Sequence, residues 1–276
     1  RDRAVSADYS CDDPGDDPSG IDTCVGDVAD GAPVDTSTLG EFTFTATATD
    51  VAGNVTVETS DYSVVDTGAP EIVITTPSPD GTAAVTIGST DTLADFVCTD
   101  SVDPDPTCTA TVGTISVASG DALPSQTPGQ YTLTVTATDA SGNQAVAEAT
   151  YTVKYAVCLD YNPNKPQPAT GAVAIKVFIC DADGNNLSDP AVDLIAEEIV
   201  VLSNGDTFNP GPNDTGGAND DFLFRFASDR YIYNLNTTEV TDESGDFVPL
   251  EPGEYLFRFA VSTTGDILYD APFKLK

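Results

Sequence analysis

The chain has 276 residues, of which 45 are acidic and 10 are basic, so its formal net charge is −35 at pH 7; it contains no His, Met or Trp. This charge repels phosphate and excludes nucleic-acid binding through a basic patch, and the lack of His removes the commonest general base. No apolar run reaches the roughly 20 residues that span a bilayer. We therefore predict an acidic chain with no nucleic-acid partner and no membrane span.

Six cysteines fall into three local pairs along the sequence. The pairs are Cys11 with Cys24, Cys98 with Cys108, and Cys158 with Cys180. Their spacing fits neither a CxxC motif nor a Cys/His zinc site, so it favours disulfides over free thiols. Disulfides persist in oxidising compartments, which predicts an extracellular or cell-surface location.

Two segments, 89 residues apart, repeat the same pattern. Residues 40–54 read GEFTFTATATDVAGN and residues 129–143 read GQYTLTVTATDASGN. Each alternates apolar residues with Thr, the period-2 signature of a half-buried strand, and a second alternating strand follows. Asp50 and Asp139 can accept backbone N–H groups in the turn, and Gly53 and Gly142 can supply a positive φ. Each segment is therefore predicted to form a β-hairpin that follows a Cys pair.

The first copy of this repeat is shorter than the second on its N-terminal side. Residues 69–95 precede Cys98 and hold two strand candidates, 71–75 and 83–87, whereas ten residues precede Cys11. A sandwich without its opening strands exposes a sheet edge and an apolar groove. The sequence predicts either a piece of a longer tandem array or a first domain that another chain completes by strand addition.

A different strand pattern begins near Tyr155. The strand candidates are residues 172–179, 192–203, 221–227 with 230–236, and 254–263 with 267–276. The β-branched residues 199–201 favour a strand over a helix in the second of these. Boundaries near residues 66–70 and 155 predict three domains, residues 1–66, 67–154 and 155–276, of which the first is incomplete.

Several short motifs carry a family resemblance. The motifs are YSC at residues 9–11, SGIDTC at residues 19–24, the TATDxxGN hairpin and the linker DTGAP at residues 66–70. Together they resemble the immunoglobulin-like (HYR-like) repeats of bacterial cell-surface proteins. Farther on, VCLDY at residues 157–161, AIK at 174–176 and ICDADGNNL at 179–187 resemble the PxKF-type domain that often ends such arrays. The resemblance implies an all-β fold of tandem immunoglobulin-like β-sandwiches, a spacer role and no family catalytic residues.

Clustered carboxylates are the candidate metal ligands, because Asp side chains and turn carbonyls are the hard oxygen donors that Ca²⁺ prefers. Two clusters each lie between the two cysteines of a pair, where a disulfide would gather them: Asp12, Asp13, Asp16 and Asp17, and Asp100, Asp103 and Asp105. Each cluster is interpreted either as a calcium site or as a solvated acidic loop.

Three other acidic positions are interpreted mainly as structural. Asp50 and Asp139 are predicted to form turns, and Asp66 to be a solvated linker residue, with metal binding as the alternative for each. The segment DADGN at residues 181–185 starts like an EF-hand loop, but its Gly comes early and no Glu closes it. It is therefore predicted to be a hairpin turn.

No residues nominate a catalytic centre, because Ser and Thr lack a His partner and no phosphate-binding Gly-rich loop occurs. The predicted function is a non-enzymatic stalk, or a repeating subunit of an extracellular fibre or layer, with copies of itself or neighbouring surface-protein chains as partners. The alternative is an adhesin or carbohydrate-binding module in the C-terminal domain. Aromatic residues concentrate in that domain: an exposed row of them would favour binding, whereas a buried row would favour packing. They are Phe222, Phe224, Phe226, Tyr231, Tyr233, Tyr255, Phe257 and Phe259.

Overall fold

The computed structural model describes residues 4–14, 19–210, 222–265 and 267–276. These residues form 20 β-strands and contain no helix, so the predicted all-β class is confirmed. They fall into two compact units. The first comprises the described residues of 1–72, 98–108 and 136–145, and the second those of 73–97, 109–135 and 146–276.

The first copy of the repeat forms a three-stranded antiparallel sheet. Its strands are β1 (Ile21–Gly26), β2 (Gly40–Asp50) and β3 (Val55–Val64), in the order β1-β2-β3. The predicted hairpin is therefore present, with Phe42 opposite Tyr62 in the register and their rings stacked 5.4 Å apart. Among the described strands, β3 lies at one edge of this sheet.

The second copy has seven strands, which are β4 (Glu71–Thr76), β5 (Ala83–Thr86), β6 (Asp95–Thr99), β7 (Thr107–Val112), β8 (Ile115–Ser116), β9 (Gly129–Thr138) and β10 (Gln144–Lys154). One sheet has the order β5-β10-β9-β7-β8, and β4 pairs with β6 in a second sheet. β5 lies parallel to β10, with Val85 opposite Val153. Both strand candidates ahead of Cys98 are thus strands.

The remaining strands build the C-terminal sandwich. They are β11 (Ala156–Leu159), β12 (Ala172–Cys180), β13 (Leu194–Val201), β14 (Thr207–Phe208), β15 (Arg225–Phe226), β16 (Tyr231–Asn236), β17 (Val240–Thr241), β18 (Phe247–Val248), β19 (Glu254–Val261) and β20 (Leu268–Lys274). Two four-stranded sheets have the orders β11-β12-β16-β15 and β14-β13-β19-β20, and β17 pairs with β18.

A single apolar core fills the C-terminal sandwich. Alternate residues of β12, β16 and β19 point into it, as the period-2 pattern requires. Phe224, Tyr233, Phe257 and Phe259 form a contiguous aromatic cluster with ring centroids 5.0–5.7 Å apart in the contacting pairs. The aromatic residues that the sequence concentrates here therefore serve mainly as core packing.

The structure contains three disulfides, in the predicted local pairing. They join Cys11 to Cys24, Cys98 to Cys108, and Cys158 to Cys180, across sequence separations of 13, 10 and 22 residues. The third bond lies between the paired strands β11 and β12, and Cys180 is fully buried there. In the chain-entropy model each bond stabilises the fold by restricting the unfolded chain, and the bond across 22 residues restricts it most.

Candidate metal centre

One turn recurs along the chain and positions its acidic residues. In the segments 50–54, 139–143 and 181–185, all of the form DxxGN, the Asp Oδ1 accepts the backbone N–H of the Asn four residues later, at 2.7–2.8 Å. The Asn amide donates to the Oδ2 of the same Asp at 2.6–2.9 Å. The Gly in each has a φ between 82° and 89°, which only Gly adopts without strain. These three Asp residues are confirmed as turn formers.

These hydrogen bonds favour the ionised carboxylate. The side-chain amide and then the backbone N–H of Asn54 hold the pKa of Asp50 below its usual range, and Asn185 does the same for the pKa of Asp181. Both carboxylates therefore stay charged at neutral pH while they shape their turns.

The second of these turns belongs to a cluster of three carboxylates in the first compact unit. Asp66, Asp100 and Asp139 each offer an oxygen, and these oxygens all lie within 4.8 Å of one another. Asp139 is 6% exposed, and Asp66 and Asp100 are partly buried. Side chains from the linker, from the loop closed by a disulfide and from the hairpin turn thus converge at one point.

Hydrogen bonds connect the segments that carry the three carboxylates. Asn143, the last residue of the turn, donates its amide to the carbonyl oxygen of Asp66 at 3.1 Å. Asp100 Oδ1 accepts the N–H groups of Val102 and Asp103, at 2.7 and 2.8 Å. Asp103 Oδ2 in turn accepts the N–H of Ala140 at 2.8 Å, which ties the two loops together.

The electrostatics of this cluster favour a cation. Backbone N–H donation from Asp103 and then Val102 lowers the pKa of Asp100, which keeps its carboxylate charged. The ion pairs among the described residues all lie in the C-terminal sandwich, in the pairs Arg230–Asp160, Arg258–Glu198, Arg258–Asp270 and Lys274–Glu254. Three like charges at this separation repel one another, and a bound divalent cation would relieve that repulsion.

Of the two Asp clusters predicted from the sequence, the structure places one residue in the three-carboxylate cluster. Asp100 is in the cluster, whereas Asp103 braces it through Ala140, and the N–H of Asp105 donates to Asp103 Oδ1 at 3.1 Å. Asp12 and Asp13 line an open groove beside Asp50, and Asp13 Oδ2 accepts the N–H of Gly20 at 2.8 Å. Asp16 and Asp17 lie outside the described residues.

From the sequence, Asp66 was predicted to be a linker residue and Asp139 a turn former, each with metal binding as the alternative. The sequence did not predict that they form one cluster with Asp100. The available signal was their placement: one Asp opens the linker between the repeats and the other opens the turn of the second repeat. The first repeat holds counterparts of two members, because Asp13 follows Cys11 as Asp100 follows Cys98, and Asp50 matches Asp139.

The aromatic residues of the C-terminal sandwich do not form an exposed row. Tyr231, Tyr233 and Tyr255 are at most 3% exposed, and Phe224, Phe257 and Phe259 are at most 6% exposed, while Phe222 and Phe226 are partly buried against the same core. Burial raises the pKa of Tyr231 and of Tyr255, so both hydroxyls remain neutral donors. Since a buried aromatic row indicates packing and an exposed one a binding face, these residues favour packing.

Across the described residues, no helix has the length and apolar character needed to cross a membrane.

Comparisons with known proteins found similar solved structures. No protein-family model matches the chain, and no curated protein matches it. A tetra-tandem repeat from the extending region of a large adhesion protein is 16% identical, with a TM-score of 0.34 over 90% of this chain and 60% of that one. Immunoglobulin domains 1–5 of Sidekick-1 are 12% identical, with a TM-score of 0.29 over 92% and 51%. Drosophila N-cadherin EC1-3 is 14% identical, with a TM-score of 0.28 over 90% and 83%.

Proposed function

We propose that the chain is a non-enzymatic structural protein of the cell surface or extracellular space. It acts as a stalk, or as a repeating subunit of a surface fibre or layer, with copies of itself or neighbouring surface-protein chains as partners. The observation that carries this proposal is the module built twice in tandem, a disulfide-closed loop followed by a β-hairpin with a DxxGN turn. Short disulfide loops suit a protein that must persist in an oxidising environment.

The proposed organisation has three domains, residues 1–66, 67–154 and 155–276, in which two HYR-like repeats precede a PxKF-type sandwich. The first repeat would be completed by a strand from another chain. In support, the two repeats share their turn chemistry while the C-terminal sandwich has its own core of aromatic and aliphatic side chains.

Immunogold electron microscopy of unpermeabilised cells that make this chain tests the proposed function. Antibody against the folded chain should label fibres or a continuous layer outside the cell. Label confined to the cell interior would contradict the proposal. Label at isolated points, together with saturable binding of a glycan by the purified chain, would favour the adhesin instead.

We also propose that the Asp66–Asp100–Asp139 cluster binds calcium. Three carboxylates supply a charge of −3 and oxygen donors only, and water can complete the six to eight ligands that Ca²⁺ takes. Because Asp66 belongs to the linker, the ion would fix that linker to the loop and turn of the same compact unit.

Calcium should stabilise the wild-type chain more than an ionic-strength-matched sodium salt does. The dissociation constant of extracellular calcium modules is about 0.1–1 mM. At a free calcium concentration ten times the dissociation constant, the gain in free energy of unfolding is about 1.4 kcal/mol. Asp66→Asn should abolish this gain, because it removes a negative charge from the cluster. The local hydrogen bond is kept, since the Asn side-chain oxygen can accept the N–H of Gly68 as Asp66 Oδ1 does. Thermal unfolding monitored by circular dichroism measures both effects.

Asp80→Asn is the matched control for that experiment. Asp80 is an exposed carboxylate that accepts the N–H and hydroxyl of Thr82 at 2.9 and 2.7 Å in a similar local turn, and it belongs to the second compact unit, whereas the three cluster residues belong to the first. This variant should keep the calcium response. If calcium and sodium act alike on the wild-type chain, the charge is merely screened and the site does not exist.

A further inference from the structure

Basic side chains gather at one groove of the C-terminal sandwich. The chain has ten basic residues, and three of them, Lys165, Lys176 and Lys274, line this groove of about 320 Å³. Among the described residues that line it, the one acidic residue is Asp160, which pairs with Arg230. The lining side chains therefore have a formal net charge of +2, whereas the whole chain has a net charge of −35.

Two of the three lysines are available to an anionic ligand. Lys274 pairs with Glu254 across neighbouring strands. The ion pairs of the described residues include neither Lys165 nor Lys176. A cleft lined by one sign of charge concentrates ions of the opposite sign, so this groove attracts carboxylates although the chain as a whole repels them.

Alternation along β12 forms one wall of the groove. Ala172, Ala174 and Lys176 face outward and line it, while the residues between them are buried in the core of the sandwich. The alanine side chains are short, so they leave room beside the lysine.

The loop of residues 160–167 forms the opposite wall and is tied to β20. The hydroxyl of Tyr161 donates to the carbonyl oxygen of Pro272 at 2.9 Å. The N–H of Gln167 donates to the carbonyl oxygen of Lys274 at 2.8 Å. The groove is therefore shaped by hydrogen bonds of the chain itself.

The aromatic residues of the groove are engaged by the sandwich. Phe273 is 3% exposed and stacks on Tyr255 at a centroid distance of 5.2 Å, and Tyr161 is partly buried. A sugar ring would therefore find no fully exposed aromatic face among the described lining residues. The lining favours a carboxylate side chain over a sugar.

The rest of the chain offers the matching carboxylates. Four other grooves are each lined by between one and four Asp or Glu residues, and by no Lys or Arg among their described residues. Two copies of so acidic a chain repel each other wherever such surfaces meet, and complementary charge removes that repulsion at the lysine-lined groove.

We propose that this groove binds carboxylate side chains of a second copy of the chain, with Lys165 and Lys176 as its two cationic contacts. Asn162 uses its side-chain oxygen to accept the N–H of Asn164 at 3.0 Å, which leaves its amide group as a further donor. Hydrogen bonds from an ammonium group to a carboxylate are charge-assisted and short. This inference rests on the part of the proposed function in which copies of the chain are partners.

Such a contact is weak between two free chains, because ion pairs at partly exposed positions contribute little. In a fibre or layer, neighbouring copies are held at a high effective concentration, which makes the same contact persistent. The test must therefore detect weak association in the purified full chain.

Carbodiimide cross-linking identifies the contact, because it joins a lysine amine directly to a carboxylate that touches it. Equal amounts of ¹⁴N- and ¹⁵N-labelled chain are mixed at an ionic strength of about 0.1 M, where charges farther apart than about 10 Å are screened. Cross-linked peptides with one label of each kind should contain Lys165 or Lys176. The pair Lys274–Glu254 should cross-link within one chain and serves as the internal control.

Sedimentation equilibrium measures the association independently of cross-linking. Lys165→Gln with Lys176→Gln should lower the association constant about tenfold, as expected for the loss of two partly exposed ion pairs. Lys165→Arg with Lys176→Arg keeps both charges and should keep the association. Lys154→Glu is the charge-matched control, because it changes the net charge by the same amount in β10, outside the groove, and should have no effect.

Three outcomes would overturn the inference. The first is a cross-link between Lys274 and Glu254 without any mixed-label cross-link at Lys165 or Lys176. The second is an equal effect of Lys154→Glu and the double Gln variant, since net charge alone would then control association. The third is saturable binding of oligogalacturonate that requires both lysines in a chain that stays monomeric, since the occupant would then be an acidic polysaccharide. None of these outcomes concerns location outside the cell, so the immunogold result and this one can fail separately.

Discussion

Replacing Phe257 by Ala should lower the free energy of unfolding of the C-terminal sandwich by about 3–5 kcal/mol, the range for deleting a buried aromatic ring. Phe257 is 0% exposed and lies in β19, a central strand of its sheet. Its ring contacts those of Phe224 and Tyr233 at centroid distances of 5.7 and 5.0 Å. Removing it leaves a cavity between two packed sheets, which relax only partly around it.

Denaturant unfolding of the wild-type and variant chains, followed by tyrosine fluorescence, measures this loss. Phe247→Ala is the matched control, because Phe247 is the same residue type in the same sandwich but 61% exposed. It should change the free energy of unfolding by no more than about 0.5 kcal/mol. Equal effects of the two substitutions would contradict the packing described for this core.

Removing the disulfide between Cys158 and Cys180 by a double substitution to Ala should cost about 3 kcal/mol, as loop-closure entropy gives for a sequence separation of 22 residues. Both positions lie on paired strands, so the folded sandwich should persist with its sheets unchanged. The expected change is therefore a lower unfolding midpoint rather than a different fold.

Reduction of the wild-type chain supplies the comparison for that variant. Full reduction also opens the two disulfides of the repeats, so it should destabilise the chain further than the double substitution does. If the double substitution leaves the unfolding midpoint where it was, the loop is held by packing alone and the disulfide has no stabilising role.

Local patterns predicted most of the strands. The alternation in residues 172–179 and 254–263 corresponds to β12 and β19 within two residues at each end, and both hairpins of the repeat formed where the DxxGN turn required them. Such features depend on neighbours in sequence: side chains that alternate, an Asp that accepts N–H groups, and a Gly at positive φ.

The predicted strand at residues 221–227 was less accurate, for a tertiary reason. Its described part divides between the two sheets of the sandwich. Phe224 donates its N–H to Leu194 in β13, and Phe222 accepts the N–H of Ala196, while Arg225 and Phe226 pair with β16. Only residues 225–226 remain as β15, because a segment that changes sheets cannot keep one ladder.

The candidate site shows the same division between local and tertiary information. Asp139 could be assigned to a turn from its own segment, because its partner Asn143 is four residues away. Its approach to Asp66 and Asp100 depends on three separate segments meeting in one compact unit. The short distances between the three carboxylates therefore cannot be predicted from any local sequence pattern. Likewise, the alternation of side chains along β5 could not predict that this strand pairs in parallel with β10.

The thiol state of the chain in its source cells tests most directly the proposed role as a disulfide-bonded structural protein of the cell surface. Thiols are alkylated at harvest, and the denatured chain is then weighed by intact-mass spectrometry. We expect no alkyl group on any of the six cysteines before reduction, and six alkyl groups after reduction and a second alkylation. Alkylated cysteines in the unreduced chain from those cells would contradict it.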